Sequence, residues 1–367
     1  MSTVEERTAA VKAMAMEEGF HRVGVVPARE VPGSEGFVGW LARGCHAGMA
    51  YLARNPDNRF RPELLLPGAR SVICLAVGYA PGGDEQGEHL TSRDLPTFGR
   101  KAGRKGAAAL PCSDSPGSVR PFVARYARGR DYHKVLKKRC KALIDRLGGL
   151  GPSFQARAFV DAGPVGERSL AAAAGLGWIG RNGCLIVPGM GSYVVLAEIV
   201  CNLELRPDEP VESRCDDCRA CLDACPTGAC LGCGLVDARR CLSYLTVECR
   251  DEMPVEFRES LGNRVFGCDA CQEACPFNCD ITRGDLELVE DRWRSVCLSD
   301  ILKWTFDDWD SATQGSATRR ATYGMFLRNA IIAAGNSGDA GLRKTLLGSR
   351  PGLNELDGAI DWSLGRL

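Results

Sequence analysis

The sequence predicts a multidomain α+β chain: an α/β domain over residues 1–205, a small metal-organised domain over 206–285, and a helical segment over 286–367. Three observations predict it. Short β-branched runs alternate with helical periodicity in the first stretch. Cysteine, Asp, Pro and Gly then displace apolar periodicity, so the middle stretch has little to build a core from and needs another source of order. Beyond it, helical periodicity returns without strand signals.

The elements follow in order. Ser2-Thr3-Val4-Glu5 predicts a capping box for a first helix that stops at Gly19. HRVGVVP (21–27) and SVICLAVGYA (71–80) read as buried strands. Residues 81–121 are rich in Gly, Pro, Ser and charge without period, and read as an excursion or lid. DYHKVLKKRCKALIDRLGG (131–149) gives a helix. Its Val135, Leu136, Cys140, Leu143, Ile144 and Leu147 share one face, and two Gly end it. RAFV (157–160) is a strand, Pro164 opens a helix ending at Gly175, and CLIV (184–187) and YVVLAEIV (193–200) are further strands. At the C-terminus, WTFDDW, MFLRNAIIAAGN, GLRKTLL and LDGAIDWSLGRL form short helix pairs, like a HEAT-like helical-repeat cap.

With 367 residues, 45% of them apolar, the chain can bury a sizeable core. Lys+Arg and Asp+Glu balance at 46 each, which excludes a gross charge preference but not a local basic patch. MSTVEERTAAVKAMAMEEG is no signal or transit peptide, and the longest apolar run, near YVVLAEIV, is far short of the roughly 20 residues that span a bilayer. The expectation is a cytoplasmic protein with no membrane partner. In a reducing compartment 19 cysteines point to metal rather than disulfides. Those outside the clusters (Cys45, Cys74, Cys140, Cys184, Cys201 and Cys297) read as small core hydrophobes.

Two runs carry the chemistry: Cys215-x2-Cys218-x2-Cys221-x3-Cys225-Pro226 and Cys268-x2-Cys271-x3-Cys275-Pro276. The first has the spacing of a bacterial ferredoxin, in which three thiolates wrap one cubane and the fourth crosses to a second. Zinc needs only four ligands in C-x2-C pairs, fewer than stand here. A ferredoxin-like domain with two 4Fe–4S clusters is predicted. Phe266-Gly267 stands where the second run lacks a cysteine, and Cys241 is the best substitute. Cluster one then takes Cys215, Cys218, Cys221 and Cys275; cluster two takes Cys225, Cys241, Cys268 and Cys271. Cys230-x2-Cys233 is left over, either a spare redox-sensitive pair or a further metal site. Two clusters form a wire for single electrons, and a domain of about 200 residues before them implies an acceptor there.

That domain has neither a Rossmann G-x-G-x-x-G nor a P-loop. GLGWIGRNG (175–183) lets bare backbone approach a flat ligand. Asp161, after RAFV, either faces a site or caps the helix opening at Pro164; the residues alone leave both readings open. Arg125, Arg128, Arg130, Lys134, Lys137, Lys138, Arg139 and Lys141 stand against Asp131, a one-sided basic stripe that reads as a phosphate-binding surface. Arg319, Arg320 and Arg328 extend it.

These segments together resemble the cobalamin-dependent epoxyqueuosine reductases. The likeness runs through FVGWLARGCHAGMAYLARN, LLLPGARSVI, ARYARGRDYHKVLKKR and FVDAGPVGERSLAAAAGLGWIGRNGCLI. It continues through CRACLDACPTGA, VDARRCLSYLTVE, GNRVFGCDACQEACPFN and FLRNAIIAAGN. It implies an α/β domain holding base-off cobalamin against the ferredoxin-like domain, and a HEAT-like tail gripping a tRNA anticodon stem-loop with a GUN anticodon. It further implies an external low-potential electron donor and a monomeric enzyme. The resemblance puts the acid of VDxxP on Asp161, which a flat, poorly hydrated macrocycle would raise in pKa. It implies cobalamin contacts at Arg59, Asp161, Trp178, Ile179, Asn182, Ser243 and Asp269, and tRNA contacts at Lys134, Lys137, Lys138, Arg319 and Arg320.

This chain departs from the family pattern. VDTAPVLER becomes VDAGPVGER, with smaller Ala162, Gly163 and Gly166; GKN becomes GRN at Arg181; CPWN becomes CPFN at Phe277. Two alternatives stay open: a related reductase of a small molecule, dehalogenase-like, and a non-catalytic corrinoid-activating electron carrier.

Overall fold

The computed structural model describes residues 3–81, 119–150, 153–348 and 354–367, so nearly all of the expected 81–121 excursion lies outside the described residues. Helix α1 (Val4–Glu17) carries its capping box one step later than the sequence reading placed it: Thr3 is the cap and Glu6 the partner. β1 (Arg22–Pro27) follows, then α2 (Ser34–Ala42) and β2 (Ser71–Gly78). β3 (Phe122–Val123) precedes α3 (Tyr132–Leu147), whose first turn is capped by Asp131. β4 (Ala156–Phe159) leads to α4 (Glu167–Ala173), β5 (Trp178–Ile179), β6 (Leu185–Ile186) and β7 (Val194–Cys201). The expected helix at Pro164 starts three residues late, because Asp161 to Gly166 form a loop held by side chains.

β1, β2, β7 and β4 form one antiparallel sheet in the order β1-β2-β7-β4. Its two faces bury different cores, as period-two alternation requires. Val25, Ile73, Leu75, Val77, Ala197 and Ile199 pack on α1 and α3. Val26, Val72, Cys74, Ala76 and Val200 pack on Leu170 and Ala171 of α4 and on Ala174 just after it. Gly24 permits that second packing, since a Cβ there would lie 2.1 Å from the Ala174 carbonyl oxygen.

The cysteine-rich stretch holds only short elements: α5 (Ala220–Asp223), the hairpin β8 (Cys230–Gly232) and β9 (Leu235–Val236), α6 (Leu242–Val247), α7 (Val255–Leu261), β10 (Arg264–Phe266) and α8 (Ala270–Glu273). β10 pairs in parallel with β3, stitching this stretch to the segment before α3. Then come α9 (Leu286–Val289), α10 (Leu298–Ile301), α11 (Phe306–Thr313), α12 (Tyr323–Ser337), α13 (Gly341–Gly348) and α14 (Asp357–Leu364). Phe326, Leu327, Ile331 and Ile332 of α12 are at most 2% exposed. At about 1.5–3 kcal/mol per buried side chain of this size, that helix is a main source of local stability. No helix among the described residues is long and apolar enough to cross a membrane.

Candidate active site and metal centre

Asp161 follows β4 with a φ of 57°, a left-handed conformation that a non-glycine residue keeps only when its surroundings hold it. Its N–H donates to the Glu167 carboxylate at the start of α4. Its Oδ2 accepts from the Tyr132 hydroxyl at 2.6 Å and contacts His133 Nε2 at 2.9 Å. Tyr132 and His133 occupy the first turn of α3, with rings stacked at 4.1 Å. The cap of that helix closes the chain of contacts, for Asp131 Oδ1 lies 2.9 Å from His133 Nδ1. No side chain caps α4. Asp161 is thus a terminus of an Asp131–His133–Asp161 line and not a helix cap.

The protons follow from these contacts. Burial raises the Asp161 carboxyl, but hydrogen bonds from His133 and Tyr132 and the charges of His133 and Arg320 outweigh it and leave it below its ordinary value. The downward shift is that of the carboxyl open to solvent; the raised value expected from the sequence belongs to the carboxyl covered by a macrocycle. Burial pulls His133 down, yet its bonds to Asp131 and Asp161 push it up to about 9. At neutral pH the proton rests on the imidazole and the carboxylate is ionised. The Asp161 side chain is 54% exposed, so the site opens to solvent on one side.

The smaller residues of VDAGPVGER serve close approach rather than a wider pocket. A Cβ on Gly166 would stand 2.7 Å from the Arg59 carbonyl oxygen, which accepts the Gly166 N–H. A Cβ on Gly163 would meet the Phe159 ring at 2.6 Å.

The other expected cofactor residues divide. Arg59 lies near Asp161, since Tyr51 and Glu167 both act electrostatically on Arg59 and Asp161 acts on both of them. Its Nε is buried without a hydrogen-bond partner. Ile179 is 37% exposed and Ser243 is half-buried. Trp178, Asn182 and Asp269 are engaged inside the protein. Trp178 Nε1 donates to Cys215 Sγ at 3.4 Å, and Asn182 Nδ2 to the Cys271 carbonyl at 3.4 Å. Asp269 accepts the Arg125 N–H at 2.8 Å.

The thiols form two groups. Cys215, Cys218, Cys221 and Cys275 line one cavity with Arg181, Asn182, Ile186 and Phe277. Burial first, then mutual repulsion, raises Cys221 and Cys275, as thiols sharing one space require. In the second group Cys241, Cys268 and Cys225 feel one another's charge. Cys225 is pulled down to about 5 by a hydrogen bond from Cys230, then against burial by backbone donors. Cys230 also bonds to Cys271, and Cys271 to Cys184. Cys230 is thus part of this group, whereas Cys233 is exposed beyond the end of β8. Cys45, Cys74, Cys140 and Cys201 are buried as expected; Cys184 and Cys297 are only half-buried, and the Cys184 thiol is spent on Cys271.

The basic stripe is narrower than the sequence implied. Arg125 is buried against Asp269 and Glu273, Arg128 pairs with Asp291, and Arg139 binds Asp285. Arg328 is 3% exposed and ties down the carbonyls of Leu245, Cys249 and Asp251, so it cannot extend a surface. Lys134, Lys137, Lys138 and Lys141 remain exposed on one face of α3. Arg319 pairs with Asp310, and Arg320 holds Glu248 through two bonds, of 2.6 and 2.8 Å.

The profile described as Epoxyqueuosine reductase QueG, DUF1730 matches residues 59–162, from Arg59 through Asp161, and that of a 4Fe-4S double cluster binding domain matches 214–278. The epoxyqueuosine reductase of Gloeobacter violaceus is 39% identical over 341 residues, 90% of this chain and 97% of its own. That of Pseudomonas aeruginosa is 36% identical over 331 residues, 89% of this chain and 84% of its own.

The chain belongs to the epoxyqueuosine reductase family.

Solved members of the epoxyqueuosine reductase family share its fold. A crystal structure of an epoxyqueuosine reductase with a tRNA-Tyr epoxyqueuosine-modified stem loop is 27% identical, with a TM-score of 0.85, covering 99% of this chain and 91% of that one. The Streptococcus thermophilus enzyme is 29% identical, with a TM-score of 0.80 over 98% and 89% of the two chains. The cysteine-rich stretch is a double 4Fe–4S binding domain. Sequence reasoning passed over Tyr132, His133 and Glu167. A Tyr-His pair directly after the Asp cap was the available signal, since the first turn of a helix presents its side chains beside whatever approaches its N-terminal end.

Proposed function

We propose that this protein reduces epoxyqueuosine in the anticodon loop of a tRNA to queuosine, with cobalamin as cofactor. The observation that carries the reading is the Asp161 carboxylate, open to solvent on one side and tied on the other to a protonated imidazole. Removing the epoxide oxygen as water takes two electrons and two protons, and the Asp161–His133 pair supplies a proton at a fixed point.

The residues present fit a large amphipathic cofactor. Arg59 Nε is buried and unpartnered, and Tyr51 and Ile179 leave apolar surface exposed, at 42% and 37%. Arg59, Ile179 and Ser243 would hold cobalamin beside Asp161. Trp178, Asn182 and Asp269, already bonded within the protein, would contribute only ring face or backbone. When bound, cobalamin supplies reduced cobalt to the epoxide, fed by single electrons that an external low-potential donor passes through the two clusters. Cys215, Cys218, Cys221 and Cys275 would hold the first cluster, and Cys225, Cys241, Cys268 and Cys271 the second.

Covering the open side of Asp161 removes water and favours its neutral form. The His133 proton then moves across the 2.9 Å contact, and Asp161 delivers it to the departing oxygen. Tyr132 holds the carboxylate in place through this exchange. Lys134, Lys137 and Lys138 present charge for the tRNA backbone beside the same helix turn, with Arg319 and Arg320 at the edge. We keep 1–205, 206–285 and 286–367 as working domains, the last a HEAT-like grip on the anticodon stem-loop. The reading makes the enzyme a cytoplasmic monomer. Anaerobically reconstituted protein with cobalamin and a strong reductant is expected to convert epoxyqueuosine in tRNA to queuosine. Absence of conversion by protein with intact cluster spectra would overturn the reading; turnover of a small halogenated compound instead would favour a dehalogenase-like activity.

A further inference from the structure

Glu198 lies in the middle of β7, opposite Cys74 of β2 and Phe159 of β4. It is 0% exposed, and its strand register places it on the sheet face whose core is Val72, Cys74, Ala76, Phe159 and Leu170. Neither carboxyl oxygen has a donor within reach. The group it meets is another carboxyl, that of Glu167. Two ionised carboxylates cannot share an apolar pocket, because each buried charge without a partner is strongly disfavoured. A proton between them removes the conflict: a neutral Glu198 donates to Glu167, and Glu167 keeps its other contact, the N–H of Asp161.

We propose that Glu198 is a positioning residue: as a neutral acid buried under the sheet it donates its proton to Glu167, and this shared proton latches the left-handed Asp161 loop. Burial and the Glu167 charge both push Glu198 up, in keeping with a neutral acid. Burial and the Asp161 charge lift Glu167 to about 7, against the Asp161 N–H. The groups facing the pair are Asp161 from its loop, Arg168 from α4, Cys74 from β2, Arg59 from the segment before β2 and Tyr132 from α3, while Cys140 of α3 feels Glu198 from across the sheet. Of these Arg168 and Arg59 are cationic; the Arg168 guanidinium donates to the Gly183 carbonyl, and Arg59 reaches Glu167 by charge alone. As pH rises Glu198 loses the proton, the two carboxylates repel, and the latch opens. The consequence for catalysis rests on Asp161 being the acid; the latch itself does not.

Hydrogen–deuterium exchange at the Asp161 amide in the cluster-loaded protein reads the latch directly, and turnover reads its consequence. E198L keeps the volume and removes the donor. Its Asp161 amide is expected to exchange about tenfold faster, the order of a lost hydrogen bond to a charged group, with cluster spectra unchanged. E198Q keeps a donor that cannot ionise. It is expected to protect the amide as the parent does at neutral pH and, unlike the parent, to hold that protection into alkaline pH after correction for intrinsic exchange. Equal protection in E198L and parent, or E198Q losing protection with pH as the parent does, overturns the latch. If E198L does not fold, the pH dependence of E198Q decides alone. Altered exchange without altered turnover retains the latch and removes Asp161 from the chemistry.

Discussion

The thiol groups and the Asp161 site are built in opposite ways. Three of the four thiols around the first cavity fall within seven residues, Cys215 to Cys221, and only Cys275 comes from afar. The Asp161 site draws on the end of β4, the first turns of α3 and α4, and Arg320 beyond α11. Spacing sets most of the first, because a short loop must bend its own thiols around one centre before Cys275 joins them. The second exists only once the sheet and helices have packed. An electron path can therefore be written locally in a chain, whereas a tuned proton donor needs the whole fold.

This contrast is breakable by mutation, and the largest effects are expected at the thiols. Cys221→Ala or Cys271→Ala is expected to lower bound iron by about half, one of two clusters, and to abolish turnover; iron analysis and paramagnetic resonance of the reduced protein check it. Full iron in either variant would mean a spare thiol, such as Cys230 beside Cys271, replaces it. Asp161→Asn comes next. It removes the acid while leaving both thiol groups untouched, so iron content should stay at the parent level. Turnover should fall by about 10²–10⁴-fold, the usual range for a general acid. A fall in iron together with turnover would show the two regions to be less separable than their construction implies.

The same contrast explains what the sequence disclosed. The four longer strands were legible because buried β-branched runs have few alternatives, and α3 because its apolar face recurs every three to four residues. The helix expected at Pro164 came late because Glu167 reaches back to the Asp161 amide, a contact between neighbours that periodicity does not encode. The basic stripe was overread because a count of charges cannot see Arg125 turned inward to Asp269 and Glu273. Asp161 was legible as a position, yet its proton balance was not, since His133 and Tyr132 come from a different element. Cys230 looked spare because β8 had to fold before its sulfur could be placed against Cys225.

His133→Asn separates proton supply from Asp161 itself. His133 is raised from 6.5 to about 9 in the fold. Its ion pair thus contributes stability that is fully present below the unfolded value and is lost as pH rises through about 9. Turnover should carry an alkaline limb with the same midpoint. The variant should turn over about tenfold more slowly, or less, and lose that limb while keeping full iron. A limb that survives in the variant would assign it to another group.

The smallest expected effect is at Lys134, Lys137 and Lys138. They are exposed at positions three and four apart on α3, opposite Val135, Leu136 and Cys140, so replacing them disturbs neither the core nor the Asp161 contacts. Each Lys that meets a phosphate releases a counterion on binding, so each Ala substitution should lower the slope of log affinity against log salt by about one. Arg319 and Arg320 provide the internal control. Both already spend their charge on Asp310 and Glu248, so Arg319→Ala should change the slope less than Lys138→Ala does. Turnover at saturating tRNA should stay near the parent in the lysine variants, because binding to the backbone is the same before and after the epoxide opens. A lysine variant that lowers saturated turnover and leaves the salt slope intact would move these residues from the tRNA surface to the proton site that begins one residue away, at His133.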